Sequence, residues 1–238
     1  MDAFTPPHFT GLPPARNRRP SALDKVGKAF VLPADTVLYR QGDAANSLYY
    51  LESGAVMVGV AAAEGEPIIV AVHGPGAFFG ARSLRSEAHK TMAMVLVQST
   101  VVAVGKTDIE RLLRTDATFA RQFAVQMMRH AAALEEEQVD RVVNSLEKRL
   151  ARALLILASV DAESAGARVL ERMTDFTLAR MLAADPSSIQ ELLHEFRRAG
   201  HLGPGKPLSV RSSLVRVLLP AHLADMPSPL DELAALSR

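Results

Sequence analysis

The sequence predicts an α+β fold with an N-terminal double-stranded β-helix (jelly roll), a long helix and a C-terminal winged helix-turn-helix. Short β-prone runs separated by turn residues fill 28–104, which is typical of a double-sheet roll. Residues 117–144 contain neither proline nor glycine, and two short helical segments further on precede a glycine-rich hairpin. We therefore expect a flexible tail at 1–20, the roll at 21–116, the long helix at 117–144, the winged helix-turn-helix at 145–223 and a second tail at 224–238.

The amino-acid composition excludes several kinds of functional site. The 238 residues are 48% hydrophobic, which permits a sizeable core, and the net charge of +1 gives no global attraction to nucleic acid. The chain has no cysteine, which excludes disulfides, thiolate zinc sites, a cysteine nucleophile and a cysteine-held iron–sulfur cluster. No apolar run approaches the ~18 residues of a membrane span, and the N-terminus lacks a secretory signal, so we expect a cytoplasmic protein.

Turn residues divide the roll into strands. The run FVLPADTVLYRQGD is interpreted as strand, turn, strand, turn, and the run SLYYLESGAVMVGV continues the pattern. Tight connections are predicted at Ser53-Gly54, at 64–67 and at 74–76. The run MAMVLVQSTVVAV is predicted to form two further strands.

The hydrophobic period changes beyond Thr107. A short helix is predicted at 108–114, the long amphipathic helix at 117–144 and another helix at 145–160, with a loop at 161–167. A long helix with one narrow apolar stripe often pairs with a copy of itself. The alternative is that the stripe packs on the helix's own β domain. The residues that we assign to a dimer seam are Phe123, Met127, His130 and Leu134.

The segment 173–202 has the pattern of a helix-turn-helix. Thr174 is a predicted N-cap, and a short turn at 183–185 separates two helices. Asp185 is expected to cap the second helix, Pro186 occupies its first turn, and Gly200 ends it. The predicted buried residues are Phe176, Leu178, Met181 and Leu182 on the first helix and Ile189, Leu192, Leu193 and Phe196 on the second. A β-hairpin at 203–206 follows where a wing is expected, and a closing helix or strand is predicted at 214–219.

Polar residues opposite the apolar stripe of the second helix are candidate DNA contacts. In a major groove the N-terminal part of such a helix meets base edges. Gln190 has the donor and acceptor needed to bind adenine, and Glu191 can accept a hydrogen bond from cytosine. The cationic side chains suit phosphates, and a solvated helix face is the alternative. The candidate set is Ser187, Ser188, Gln190, Glu191, His194, Arg197, Arg198 and Lys206.

Four segments together resemble the CRP/FNR regulators: YRQGDAANSLYYLESGAVMVGV, GPGAFFG, LEKRLARALLILA and the helix-turn-helix. The resemblance extends over almost the whole chain. It implies a homodimer that binds a pseudo-palindromic operator in double-stranded DNA, with RNA polymerase as a candidate partner. It also implies that an effector in the roll biases the long helices between two states.

The candidate effector pocket departs from the cyclic-nucleotide members of that family. Those members place a glutamate on the ribose hydroxyl, and FFGARSL has Ala81 there. Their arginine–serine pair for the cyclic phosphate is matched most nearly by Lys90-Thr91, and lysine lacks the planar two-pronged contact of arginine. We therefore expect weak or no cyclic AMP binding and an unidentified small-molecule effector. The candidate pocket residues are Phe79, Gly80, Ala81, Arg82, Lys90 and Thr91.

The histidines do not indicate a cofactor. The haem members of the family use histidine ligands, and His73, His89 and His130 lie in or beside the presumed pocket. No pattern singles one out, so we expect each at a core or surface position, with no haem, metal or iron–sulfur cluster. We find no phosphate-binding glycine loop or nucleophile–base pair either, so we expect no enzymatic activity.

The second helix of the helix-turn-helix also departs from the family. Its first residues carry no positive charge, and residues 168–222 contain eight Lys or Arg against five Asp or Glu. That surplus is modest for a DNA-binding domain. The first hypothesis is an effector-responsive transcription regulator. The alternative is a dimeric signalling or interaction protein that keeps the fold with weak or lost DNA readout.

Overall fold

The computed structural model describes residues 10–11, 19–61, 67–163 and 169–218. Within these ranges it contains seven strands and six α-helices. The strands are β1 Thr10–Gly11, β2 Lys28–Leu32, β3 Val37–Tyr39, β4 Ser47–Val60, β5 Ile68–His73, β6 Phe78–Phe79 and β7 Met92–Gly105. The helices are α1 Lys106–Thr115, α2 Ala117–Val143, α3 Leu146–Glu163, α4 Asp175–Leu182, α5 Pro186–Arg198 and α6 Val215–Leu218. No helix among these residues is long and apolar enough to cross a bilayer.

The strands form one curved sheet, which we call the roll. Its order is β1-β5-β4-β7-β2, with β3 paired to β7 and β6 paired to β4. All pairs are antiparallel except β1–β5. The two 14-residue strands β4 and β7 pair along most of their length and form the centre of the roll.

Two predicted connections in the roll are wrong, because β4 and β7 bend without breaking. Ser53-Gly54 lies inside β4, and 92–105 is one strand. The register shifts between Leu51 and Val56, which marks a bulge, and Gly54 adopts φ +88° there. A Cβ on Gly54 would lie 2.2 Å from Ser99 Oγ, which binds the Ala55 N–H at 3.0 Å. Glycine therefore serves as a bend within the strand instead of a turn between strands.

The turn at 74–76 is confirmed, since the Ala77 N–H donates to the Gly74 carbonyl at 3.3 Å and Gly76 has φ +86°. Residues 64–66 of the other predicted turn lie outside the described residues. Part of the predicted N-terminal tail contacts the roll: Thr10–Gly11 pairs with β5, and Arg19 forms an ion pair with Glu52 at 3.1 Å. A flexible tail is therefore wrong for these residues.

The helices follow the predicted order, with one shifted boundary. Helix α3 continues to Glu163, beyond the predicted start of the loop at 161. The Asp161 carboxylate accepts hydrogen bonds from the Val169 and Leu170 N–H groups, so it remains in the helix and holds the returning chain. Residues 164–167 of that loop and the predicted tail 224–238 lie outside the described residues.

The roll and the C-terminal helices share one hydrophobic core. Met57 and Val72 of the roll belong to the same buried cluster as Leu154 of α3 and Met181 of α4. The Arg172 guanidinium also forms an ion pair with Asp35 on the roll. A second cluster joins the roll to α1 and the first half of α2. The helix-turn-helix is therefore packed directly on the roll of its own chain.

Candidate functional site

Helices α4 and α5 form the predicted helix-turn-helix. The Thr174 side chain caps α4 by accepting from the Thr177 N–H at 3.0 Å. Ala183, at φ +50°, makes the turn, and Pro186 begins α5. Asp185 occupies the N-cap of α5, but among the described residues its carboxylate has no capping hydrogen bond. The chain leaves α5 through Gly200 at φ +75°, as its sequence predicts.

The two helices pack through the predicted apolar faces, although Leu192 is only half-buried and Phe176 is exposed. Leu178, Met181 and Leu182 of α4 are buried, as are Ile189, Leu193 and Phe196 of α5. Phe176 is instead 52% exposed, and Arg180 lies over its ring at 5.6 Å from the centroid. The cation–π contact accounts for an aromatic residue on an outer surface.

The opposite face of α5 carries the candidate DNA contacts. Ser187, Gln190, Glu191 and His194 are exposed, and Ser188 is half-buried. Arg197 is half-buried, whereas Arg198 is exposed and lies 3.9 Å from Glu195. The first two turns of α5 therefore present polar side chains capable of meeting base edges, and the cations lie at its C-terminal end.

The predicted hairpin is a short wing, which we define as residues 201–211. It is held by one bridge between Leu202 and Val210, by the Gly203 N–H on the Ser209 carbonyl at 2.8 Å and by the Arg211 N–H on the His201 carbonyl at 2.9 Å. Lys206 is exposed between these pairs, and Gly205 has φ +81°. The wing thus carries an exposed cation shortly after α5 in the chain.

The candidate effector residues are only partly brought together. Phe79 is buried on β6, and a Cβ on the next residue, Gly80, would lie 3.0 Å from the Tyr49 ring. Thr91 forms a side-chain hydrogen bond with Tyr39, whereas Lys90 is exposed. Ala81 begins a short 3-10 turn, and the Arg82 side chain lies outside the described residues.

A column of six aromatic rings crosses this region, and sequence analysis missed it. Adjacent ring centroids are 3.7 to 6.4 Å apart. Burial raises the pKa of Tyr39 to about 12. The column runs in the order His89, Tyr39, Tyr49, Phe79, His73 and His130. Its members come from six separate segments, so no local spacing signals it.

His73 is the buried titratable group of this column. It is 5% exposed, and its Nδ1 atom has no hydrogen-bond partner among the described residues. Burial, with a smaller contribution from His130, lowers the pKa of His73 to about 4. The folded roll therefore holds His73 in its neutral form at neutral pH.

This burial predicts an acid-sensitive stability. The unfolded chain protonates His73 near pH 6.5, whereas the folded chain does so near pH 4. The unfolded state therefore binds more protons in that window, and stability falls as the pH drops from 6.5 to 4, by about 3 kcal/mol. His73→Leu is expected to remove this part of the acid dependence in urea unfolding at several pH values. The exposed His194→Leu is the control, and an unchanged acid slope in His73→Leu would contradict the assignment.

Helix α2 has two different halves. Phe119 and Phe123 are buried in the roll of their own chain, so the assignment of Phe123 to a dimer seam is corrected and the alternative of self-packing holds there. Met127 packs partly on the same cluster, and His130 is half-buried beside His73. Residues 128–143, which we call the second half of α2, expose large apolar side chains. Their exposed fractions are Met128 62%, Leu134 42%, Val139 59%, Val142 86% and Val143 72%.

The second half of α2 also borders a cleft at the hinge to α3. The cleft has a volume of about 860 Å³ and lies between α2, α3, α4 and Leu218. Asp140 of α2, 6% exposed, lies 3.5 Å from Arg152 of α3. Arg149 of α3 donates to the Leu182 carbonyl at the end of α4. These contacts connect the long helix to the helix-turn-helix.

A β-roll joined by a long helix to a winged helix-turn-helix is the domain arrangement of a transcription regulator. Residues 29–116 match the cyclic nucleotide-binding domain family. The chain is 26% identical over 176 residues to the Cyclic AMP receptor protein of Thermus thermophilus, which covers 73% of this chain and 79% of that protein. FixK2 from Bradyrhizobium japonicum has a TM-score of 0.65 at 20% identity, over 85% of this chain and 99% of that one. The chain belongs to the CRP/FNR family.

One relative is named as an enzyme instead of a regulator. Acetyltransferase Pat of Mycolicibacterium smegmatis is 32% identical over 118 residues, which is 48% of this chain. The aligned part is 35% of that protein, so the chain spans about a third of it.

Proposed function

We propose that this chain is a homodimeric, DNA-binding transcription regulator whose roll responds to an effector other than cyclic AMP. The observation that carries the proposal is the arrangement of α5, which buries Ile189, Leu193 and Phe196 while Gln190 and His194 face solvent. A helix held in this way has a free polar face of the kind that enters a major groove. Two such helices are needed for a pseudo-palindromic site, and the exposed apolar half of α2 supplies a surface for pairing two chains.

The effector part of the proposal depends on Ala81 and on the aromatic column. Ala81 has no group to bind a ribose hydroxyl, and a buried hydroxyl without a partner costs about 1–3 kcal/mol. Tyr39, Phe79 and His73 belong to one column of stacked rings in the roll. Both features disfavour a nucleotide and favour a smaller or differently shaped effector.

The alternative is a dimeric signalling or interaction protein of the same fold. It is favoured by the acidic side chains on α5, because the exposed carboxylates of Glu191 and Glu195 repel DNA phosphates. DNA titration separates the two functions.

The test is a fluorescence titration of a duplex carrying the chain's own promoter region at 50 and 200 mM salt. Lys206→Ala is expected to weaken binding to all duplexes equally and to lower the salt slope by about 1, because it removes one phosphate contact. Gln190→Ala is expected to weaken binding to the promoter site alone, by about 1–3 kcal/mol, because it removes a base contact. Gln98→Ala, at an exposed glutamine of the roll, is the matched control. No binding by the wild type at the lower salt concentration would favour the alternative.

A further inference from the structure

One buried amide on α2 holds the turn between β5 and β6. Gln126 is 8% exposed, its Oε1 atom accepts from the Phe78 N–H at 3.1 Å, and its Nε2 atom donates to the Gly76 carbonyl. We propose that Gln126 is a positioning residue. It fixes α2 against this turn and thereby sets the position of helix α5 in each chain. The inference rests on the proposed function and adds the contact through which the roll acts on the long helix.

The turn itself is firmly attached to the roll. The Gly76 N–H donates to the Leu51 carbonyl at 2.8 Å, and the Leu51 N–H donates to the Ala77 carbonyl at 2.9 Å. Phe78 pairs with Tyr50 of β4 and begins β6, which leads directly to the candidate effector residues. A displacement of β6 therefore moves the two backbone groups that Gln126 binds.

Phe78, which follows this turn, contacts α2 through both its ring and its backbone. The Phe78 ring lies 5.4 Å from the Phe123 ring and 6.1 Å from the Phe119 ring, both edge-on. Gln126 binds the backbone of Phe78 at the next turn of the helix. The rings supply packing, which tolerates sliding, whereas the two hydrogen bonds require one defined position of the helix along the roll.

Gln126 also lies near the point where α2 leaves the roll, about one helical turn before His130, which still contacts His73. Gln126 is the last buried residue of α2 before Asp140, which lies at the hinge to α3. Beyond it come the exposed apolar side chains of the second half and then the contacts of Arg152 and Arg149 to Asp140 and Leu182. A shift of α2 at Gln126 is therefore carried along a continuous helix to the helix-turn-helix.

Gln126→Glu tests whether the two hydrogen bonds of Gln126, and not only the volume of its side chain, position α2. A protonated glutamic acid has the same shape and the same donor and acceptor, so it can make both bonds. An ionised carboxylate cannot donate to the Gly76 carbonyl. The ordinary pKa of glutamate is about 4.3, and burial raises it, so the variant is expected to recover as the pH falls toward 5.5.

The readout is promoter affinity relative to the wild type at the same pH. We expect Gln126→Glu to bind about tenfold more weakly at pH 8 and within about twofold of the wild type at pH 5.5. Gln126→Met, which keeps the volume without the hydrogen bonds, is expected to be weaker at both pH values. Gln122→Glu, at an exposed position one turn earlier, is the control for added charge. Wild-type affinity of Gln126→Glu at pH 8, or an equal loss at both pH values, would overturn the proposal.

Hydrogen exchange separates failure of this inference from failure of the proposed function. If the wild type binds no DNA, the Phe78 amide and the amides of 128–143 still report on the contact. They are expected to exchange faster than in the wild type in Gln126→Glu at pH 8 and to match it at pH 5.5. Unchanged exchange in 128–143 at pH 8 would overturn the positioning role whatever the chain binds.

Discussion

Val142→Glu is expected to convert the proposed dimer to monomers and to weaken promoter binding by at least about a hundredfold. Val142 is 86% exposed on the second half of α2, between Val139 and Val143, which are 59% and 72% exposed. If these side chains pair two chains, the substitution buries two unpaired carboxylates in the seam, at a cost of about 3 kcal/mol or more. A hundredfold loss corresponds to about 2.8 kcal/mol. Light scattering at micromolar concentration measures the mass, and the DNA titration measures the affinity.

The matched control is Val31→Glu. Val31 is 66% exposed on the edge strand β2, so the same substitution adds the same charge to a surface outside α2. This variant is expected to remain dimeric and to bind DNA as the wild type does. A Val142→Glu protein that keeps the dimer mass would show that the exposed half of α2 is not the pairing surface.

Phe119→Ala is expected to lower the free energy of unfolding by about 3–5 kcal/mol, the range of buried Phe→Ala substitutions. Phe119 is 1% exposed and lies 6.1 Å from both the Phe78 and Phe123 rings, in the cluster that joins α1 and α2 to the roll. Its truncation leaves a cavity where α2 begins. Urea unfolding measures the loss, with the slope of the transition as a check on two-state behaviour.

Phe176→Ala makes the same chemical change at a 52% exposed position. It loses the contact with Arg180 and little buried area, so its cost is expected to stay below about 1 kcal/mol. Equal losses at Phe119 and Phe176 would contradict the account of α2 as a helix packed on the roll of its own chain.

Local signals in the sequence predict most of the helical part of this fold. Thr174 caps α4, Pro186 starts α5 and Gly200 ends it, because each of these residue types acts through its own backbone. The narrow stripe of α2 predicts a long helix correctly. It does not show where the helix changes partner, because Phe123 and Val142 have the same apolar character and only tertiary contact distinguishes them.

The parts that sequence reasoning missed depend on residues far apart in the chain. Gly54 was expected to end a strand, and its role as a bend depends on Ser99 across the sheet. The aromatic column and the bonds of Gln126 to Gly76 and Phe78 join segments separated by tens of residues. Charge and spacing on α5 identify a polar face, but affinity for DNA also depends on the distance between two such faces in a dimer.

Hydroxyl-radical footprinting of the promoter duplex, combined with the mass of the complex from sedimentation, tests the central claim most directly. Two copies of α5 held by paired α2 helices are expected to protect two half-sites about 10–10.5 base pairs apart, with two chains per duplex. Protection of one half-site by one chain would contradict the account. So would two protected regions whose spacing does not match the helical repeat of DNA.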